Sequence, residues 1–324
     1  MNILICDFPQ EMKRDLAYEV QLLQQGLAGA QVEVMPYRSR KGLAEKLKGA
    51  DALLTAFLPL DAAMLQAADH LQLISLNATG CNTVDLQAAR QLGIRVAHVA
   101  SYCTNEVAEH TMAMLLALTR QLKAYDNRLQ QGTGWSFLPE MPLQRLAGQT
   151  MAVFGFGKIA QAVVQRAQAF GIHCLAVSSH LTTAEAAHWG VQRATVQEAL
   201  QAADIISNHM QQTSANTAFF SREIFQAMQK KPVFLNMARG EAVDEQALAE
   251  ALTAGWIRAA GLDVFAEEGR QLAVSPFLHR RNVILTPHAA FYSETSVREL
   301  QRTSCAHIQW FFQGDLSRIH SLVA

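Results

Sequence analysis

Charge is scarce in this sequence. Of 324 residues only 17% are Asp, Glu, Lys or Arg, below the quarter or so usual in soluble domains, and the formal net charge is −1. Clustered positive charge is what a nucleic-acid backbone or an anionic membrane surface selects, so a chain this close to neutral argues against either as a main partner. Two basic stretches, Lys13 with Arg14 and residues 38–48, are short and read as solvated helix faces. Cysteine is also sparse: Cys6, Cys81, Cys103, Cys174 and Cys305 are odd in number and scattered, with no spacing that suits a disulfide framework or a zinc site. That usage fits a reducing compartment. The opening MNILICDFPQ has no basic region followed by a long apolar one, and it reads as a first β-strand instead of a signal peptide. No window approaches the roughly 18 uninterrupted apolar residues of a membrane span. A cytoplasmic protein without a metal is expected.

Half of the residues are hydrophobic, which suffices for a large core, and the length suits two domains. From residue 1 to about 99, short apolar runs (2–6, 32–36, 52–56, 73–76 and 96–98) alternate with helical patterns (17–28, 42–47, 61–68 and 84–92). This is the signature of an α/β unit with a parallel sheet. Asn77-Ala78-Thr79-Gly80 follows the fourth run as a small, polar loop, which suits an ordinary turn and a ligand-facing backbone equally well. A helix opens near Thr104 or Asn105 as its cap and continues through Leu118, apolar almost all round and therefore expected to be buried. Residues 131–146 are turn-rich and contain Trp135.

Residues 146–179 carry the most specific local pattern. An apolar run at 150–154 is broken by Gly155-Phe156-Gly157-Lys158-Ile159-Ala160, and helical periodicity follows through Val163, Val164 and Ala167. In such a strand, turn and helix, the first glycine allows the turn and the second lets backbone approach a pyrophosphate. The third small position, here Ala160, lets the helix pack on the strand. The helix N-terminus offers N–H groups and a positive dipole end to phosphates. A second strand at 172–177 completes a βαβ unit, so a dinucleotide site is expected here.

Four further strand-and-turn units follow, at 203–209, 233–240, 259–265 and 282–285, the last running into Thr286-Pro287-His288. Ligands of doubly wound sheets gather beyond the carboxyl ends of the strands, which makes Arg239, Asp263, Glu268 and His288 candidates for one cleft. Taken singly, each has a plain reading as a surface ion pair or a solvated loop residue. As a set they supply a guanidinium fork for a carboxylate and an adjacent carbonyl oxygen, together with an imidazole beside a carboxylate. That pairing suits an acid that protonates a carbonyl.

The motifs GFGKIAQAVVQRAQAFG, NMARGEAVDEQAL, AGLDVFAEE and TPHAAFYSE, preceded by AEHTMAMLLALTR, resemble those of the D-isomer-specific 2-hydroxyacid dehydrogenases, in the same order and over essentially the whole chain. The resemblance implies two Rossmann-like domains. One is a flavodoxin-like substrate domain of residues 1–100 plus 292–324; the other is a doubly wound NAD(P)-binding domain of residues 101–291. It implies NAD(P)-dependent reduction of a small 2-oxo acid to the D-2-hydroxy acid, with Arg239 on the substrate carboxylate and carbonyl, His288 as proton donor and Glu268 paired with His288. Glu267 is the neighbour to exclude, and the family spacing of five residues past Asp263 selects Glu268. The same resemblance assigns Gly155, Phe156, Gly157, Lys158, Ile159, His209, Met210, Met237, Ala238 and Ala290 to the cofactor, and Asp263 to the nicotinamide carboxamide. Thr79 and Gly80 become the loop whose N–H groups hold the substrate carboxylate. Tyr102 and Phe291, with Phe57 beside them, become an apolar wall for its side chain. A homodimer through the cofactor domain is the family default.

Two departures stand out. Where NAD-dependent members carry an acidic residue for the ribose hydroxyls, this sequence has Ser178, Ser179 and His180, which removes the repulsion of a 2′-phosphate without supplying an Arg to bind one. NAD and NADP both stay open. Met210-Gln211-Gln212 replaces a proline-containing turn on the adenine side. The segment HAAFYSETSVREL is similar to that of the C-terminal-binding-protein corepressors as well, so a dinucleotide-sensing binding protein is one alternative and a formate dehydrogenase-like enzyme another.

Overall fold

A computed structural model of the chain describes residues 1–139, 141–268 and 275–324. They divide into two compact units, Met1–Tyr102 with Ser293–Ala324, and Cys103–Tyr292.

The first unit is built on five parallel strands, β1 (Asn2–Asp7), β2 (Gln31–Pro36), β3 (Ala52–Thr55), β4 (Leu73–Leu76) and β5 (Arg95–His98). Their order across the sheet is β2-β1-β3-β4-β5, the flavodoxin-like arrangement. Strand alternation builds a core on each face: Ile3 and Ile5 pack with Leu23, Cys305 and Ile308, whereas Leu4 and Cys6 pack with Leu43, Leu47 and Met64. A parallel sheet covered on both faces needs apolar residues at every position, and β3 and β4 are buried throughout. The helix Glu294–Phe312 returns to this unit and buries Leu300, Cys305 and Ile308.

The second unit holds seven parallel strands, β6 (Thr150–Phe154), β7 (His173–Val177), β8 (Gln192–Arg193), β9 (Ile205–Asn208), β10 (Val233–Asn236), β11 (Ala259–Leu262) and β12 (Val283–Leu285). Their order, β12-β11-β10-β9-β6-β7-β8, is doubly wound and reverses between β6 and β9, where such sheets open a crevice. One face is filled by aromatic rings stacked edge-on. Phe220 lies 5.2 Å from Phe154 and 4.9 Å from Phe234, centroid to centroid, and Phe225 lies 5.4 Å from Phe234. Edge-to-face contacts of this kind add to simple burial. Asp244 caps the helix Glu245–Ala254 by accepting from the Ala247 N–H at 3.0 Å, as its position predicts.

Four expectations need correction. The N-cap of the helix Thr104–Thr119 lies one residue before the expected one: it is Cys103, whose side chain does not cap the helix, so Thr104 and Asn105 lie in the first turn. That helix also keeps a solvent-facing edge, with Glu109 and Ala113 exposed, although it buries Val107, Met112, Met114 and Leu115. β8 and the helix Leu122–Gln130 were absent from the sequence reading, the first because two polar residues carry no hydrophobic period, the second because none of its residues is buried. Arg14, expected on a solvated face, is drawn inward onto the buried carboxylate of Glu19, 2.7 Å away. The 131–146 stretch, apart from residue 140, which lies outside the described residues, carries no helix or strand. Among the described residues no helix is long and apolar enough to cross a membrane, and no group of His, Cys, Asp and Glu could hold a metal ion.

Candidate active site

The second unit delivers most of the candidate residues at neighbouring strand ends. Gly155 follows β6 in the left-handed region at φ +84°, and a Cβ there would lie 2.7 Å from the His209 carbonyl oxygen. Only glycine permits that approach of two loops at the point where strand order reverses. Gly157 is the N-cap of the helix Lys158–Ala169 and supplies no side-chain cap, and a Cβ on it would meet nothing within 4 Å. An uncapped helix N-terminus behind open space fits a pyrophosphate, and fully buried Ala160 seats the helix on its strand. Phe156 turns its ring edge-on to Trp189, 6.4 Å away.

At the end of β7, Ser178 is half-buried while Ser179 and His180 are exposed. The carboxylate that follows in sequence, Glu185, caps its own helix by accepting from the Thr182 N–H and hydroxyl at 2.9 and 2.7 Å, and those bonds hold it below the usual carboxylate range. It does not replace the missing ribose acid. His209 Nε2 lies 2.8 Å from the Ser207 hydroxyl, and burial pulls this imidazole down to about 4, so it is neutral at pH 7.

A pair of buried amides shapes the next two loops. Asn208 Nδ2 donates to Asn236 Oδ1 at 3.0 Å, and Asn236 Nδ2 donates to the Arg239 carbonyl at 3.0 Å. The Met210 and Ala238 N–H groups donate in turn to Asn208 Oδ1 and Asn236 Oδ1, at 3.1 and 3.2 Å. Both asparagines are buried, so each bond forms away from competing water. Arg239 is half-buried, with Nη1 donating to the Ala238 carbonyl at 2.7 Å. Gly240 then brings this turn against the loop after β11: a Cβ there would sit 1.9 Å from the Phe265 carbonyl carbon and 2.2 Å from the Ala266 nitrogen. That loop leads to Glu268.

Asp263 is 1% exposed, and its carboxylate organises the turn that presents His288. Oδ1 accepts from the Thr286 hydroxyl at 2.5 Å and the Ala289 N–H at 2.8 Å; Oδ2 accepts from the Ala290 N–H at 3.0 Å. His110 Nε2 lies 3.0 Å from the same Thr286 hydroxyl. Within this clamp His288 adopts φ +52°, a left-handed conformation rare for a residue with a side chain. Its Nδ1 lies 2.9 Å from Glu268 Oε2, and Phe291 stands edge-on to the ring at 6.2 Å. The carboxylate on His288 is therefore that of Glu268, as the spacing predicts.

In the first unit, Thr79 donates its hydroxyl to the Val99 carbonyl at 2.9 Å, while the Val99 N–H donates to the Ala78 carbonyl, also at 2.9 Å. Gly80 is half-buried, Tyr102 is buried and Phe57 is exposed.

Residues 112–290 match the family model described as D-isomer specific 2-hydroxyacid dehydrogenase, NAD binding domain. The chain belongs to this dehydrogenase family. Over 263 residues it is 36% identical to the D-3-phosphoglycerate dehydrogenase of Mycobacterium bovis, matching 80% of this chain but 49% of that protein. The chain thus spans about half the length of such relatives. Against the glyoxylate reductase of Korarchaeum cryptofilum it is 30% identical over 86% of this chain and 84% of the other. Among solved structures, the D-lactate dehydrogenase of Aquifex aeolicus, complexed with NAD and lactic acid, superposes with a TM-score of 0.87 at 26% identity over 99% of both chains.

The sequence pattern gives no role to several residues that shape these loops: Asn208, Asn236 and Gly240 at contacts with main chain, and His110 and Thr286 through their side chains. Asparagine just inside the end of an apolar strand was the available signal, at both Asn208 and Asn236.

Two predictions follow from the nucleotide end. Gly157→Ala is expected to leave the denaturation midpoint unchanged, since its φ of −80° suits alanine, while weakening NADH binding by about tenfold or more in a fluorescence titration. Gly155→Ala is expected to lower both. Equal NADH affinity in Gly157→Ala would remove the phosphate from this turn. For His209, the unfolded imidazole gains its proton near the ordinary histidine value of 6.5 and the folded one only near 4, so its contribution to stability is complete above that window and lost as pH falls through it. Urea unfolding between those limits is expected to show uptake of about one proton at this site, a share that His209→Gln removes.

Proposed function

We propose that this chain is an NAD(P)-dependent reductase of small 2-oxo acids that yields the D-2-hydroxy acid. The observation that carries the reading is the 2.9 Å contact of Glu268 with Nδ1 of His288, a residue whose left-handed backbone is held by Asp263. With Nδ1–H donating to the carboxylate, Nε2 is the atom that can hand a proton to a substrate oxygen. The two dinucleotide-binding glycines, Lys158, Ile159 and Phe156, with Met237 and Ala238 across the sheet and Ala290 beyond β12, hold the cofactor in this reading. When bound, its reduced nicotinamide supplies the hydride for the substrate carbonyl carbon. Arg239, planar and always charged, aligns the carboxylate and the carbonyl oxygen, and stabilises negative charge as it grows on that oxygen. The 78–80 backbone takes the substrate carboxylate, and Tyr102, Phe291 and Phe57 meet the side chain. The unit Met1–Tyr102 with Ser293–Ala324 is then the substrate domain, and Cys103–Tyr292 the cofactor domain.

With no carboxylate at Ser178, Ser179 or His180, and Glu185 engaged in its own cap, a 2′-phosphate meets no fixed negative charge there. NADPH is expected to serve at least as well as NADH. We also assign a reducing cytoplasm, since none of the five cysteines is in a disulfide.

A second copy of the chain is the expected partner. Trp135 is 93% exposed and Phe137 87% exposed, yet the segment is tied down: the Tyr125 hydroxyl donates to the Phe137 carbonyl and Arg128 to the Leu138 carbonyl, at 2.8 and 3.0 Å. An ordered, exposed aromatic strip of this kind fits burial against another protomer. Light scattering is expected to give a dimer, and the double substitution Trp135→Ser with Phe137→Ser a monomer.

The deciding assay follows nicotinamide absorbance with NADH and NADPH across 2-oxo acids from glyoxylate to phenylpyruvate. Turnover is expected on at least one. His288→Ala should abolish it with dinucleotide affinity retained, and Arg239→Lys should raise KM for the oxo acid by about tenfold or more, because an ammonium cannot reproduce the fork. A wild-type chain that binds dinucleotide yet is silent on every acid overturns the reductase in favour of a dinucleotide-sensing binding protein.

A further inference from the structure

Beneath the 77–80 loop of the first unit lies a charge that the proposed reaction does not use. Glu19, on the helix Leu16–Gly26, is 0% exposed. Arg14 grips it with both arms of its fork, Nε to Oε1 at 2.7 Å and Nη2 to Oε2 at 3.2 Å, while its Nη1 donates to the Glu11 carbonyl at 2.7 Å. Oε1 accepts two further bonds, from Asn77 Nδ2 at 2.9 Å and from Gln301 Nε2 at 3.1 Å. Asn77 is the first residue of the loop. Its Oδ1 lies 2.6 Å from the Ser304 hydroxyl, and its own N–H donates to the Thr55 carbonyl at 2.7 Å. Gln301 Nε2 also reaches the Asp15 carbonyl at 2.9 Å, and the Ser75 hydroxyl donates to the Ser304 carbonyl at 2.8 Å.

Burying an ion pair is rarely the cheapest way to fill a core, since apolar residues of equal volume often do as well. What this pair supplies is direction. A carboxylate only accepts, so it forces the Asn77 amide to present Nδ2 to Glu19 and Oδ1 to Ser304; the flipped amide would set oxygen against oxygen. The Asn77 side chain is thereby held from both sides, on one by Glu19 and on the other by the returning helix Glu294–Phe312, which carries Gln301 and Ser304. Its main chain is held by β3. Two residues on, the Val99 bonds to Ala78 and Thr79 fix the loop again. Arg14 has a matching part: it neutralises Glu19, so the loop that is to receive an anion does not stand over an unpaired negative charge.

We infer that the buried Glu19–Arg14 pair, acting through the Asn77 side chain, positions the 77–80 loop to capture the carboxylate of the substrate. Glu19, Arg14, Gln301 and Ser304 are positioning residues; none of them touches substrate. The inference rests on the reading of Thr79 and Gly80 as the carboxylate-binding loop.

The test compares wild type, Asn77→Ala and the milder Ser304→Ala, which removes the donor to Oδ1 together with that hydroxyl's 3.1 Å bond to the Gln301 carbonyl of its own helix. Two readouts are used: amide hydrogen exchange across 77–81, and steady-state kinetics on the oxo acid that the wild type turns over. In Asn77→Ala, exchange in the loop is expected to accelerate with protection elsewhere unchanged. KM for the oxo acid should rise about tenfold, the loss expected for one or two buried hydrogen bonds, with kcat within about twofold and dinucleotide affinity unaltered. Ser304→Ala should move the same quantities in the same direction, by about threefold. Unchanged loop exchange in both variants overturns the inference whatever the kinetics show. Faster exchange with unchanged KM overturns it as well, and so does a parallel loss of kcat and dinucleotide affinity, which is the mark of general destabilisation. A wild type silent on every oxo acid overturns the reading of the loop and the inference with it. The exchange readout then still reports whether Asn77 orders the loop, which tells that failure apart from a failure of the network.

Discussion

Backbone meeting backbone is the constraint on which the second unit depends. Loops leaving neighbouring parallel strands crowd at the carboxyl end of the sheet, and at two positions the crowding leaves no volume for a side chain. At Gly155 the turn after β6 lies against the carbonyl of His209, and at Gly240 the turn after β10 lies against the peptide joining Phe265 to Ala266. The first contact occurs where strand order reverses and shapes the mouth of the crevice. The second ties the loop that bears Arg239 to the loop that bears Glu268. Any Cβ at either place would push the two loops apart.

Strand ends in both units are finished by a buried polar side chain that binds the following loop. Asp7 does this after β1: its carboxylate accepts from the N–H groups of Phe8, Ala56 and Phe57, at 3.0, 2.5 and 3.3 Å. Burial pushes that carboxyl above its usual range even though the three amides pull the other way. Asn77, Asn208, Asn236 and Asp263 act similarly after β4, β9, β10 and β11. A buried polar group costs stability when unpaired and gives direction when paired: Asp7, Asn208, Asn236 and Asp263 are paired with main-chain N–H groups of loops, and Asn77 with the Glu19 and Ser304 side chains. The loops at the carboxyl ends are consequently as well determined as the strands.

His288 is the extreme case. A left-handed backbone at a non-glycine residue costs on the order of 1 kcal/mol or more and persists only where its surroundings over-determine it. Here the His288 N–H donates to the Asp263 carbonyl at 2.7 Å, and the next two N–H groups go to the carboxylate of the same residue. Asp263 so holds three consecutive residues, and the imidazole projects toward Glu268 from a turn it could not adopt alone.

Much was legible in the residues themselves. Among the described residues the apolar runs mark eleven of the twelve strands, because a strand buried in a parallel sheet is apolar along most of its length. The glycine spacing at 155–160 announced the turn and helix, and the places of Glu268 and His288 after successive strands announced their contact. Short polar β8 and the exposed helix Leu122–Gln130 left no such trace, since neither buries a hydrophobic face. Arg14 looked like surface because a charged residue's partner is set by distance in space: Glu19 lies five positions away, but Asn77, Gln301 and Ser304 reach the same network from two other parts of the chain. Sequence alone determined most of the strands and which residue types stand at their ends, as these follow from local period and residue type. Tertiary structure alone decided which amide faces which carbonyl, which glycine must stay bare, and which carboxylate is buried, because those depend on contacts between segments far apart in the chain.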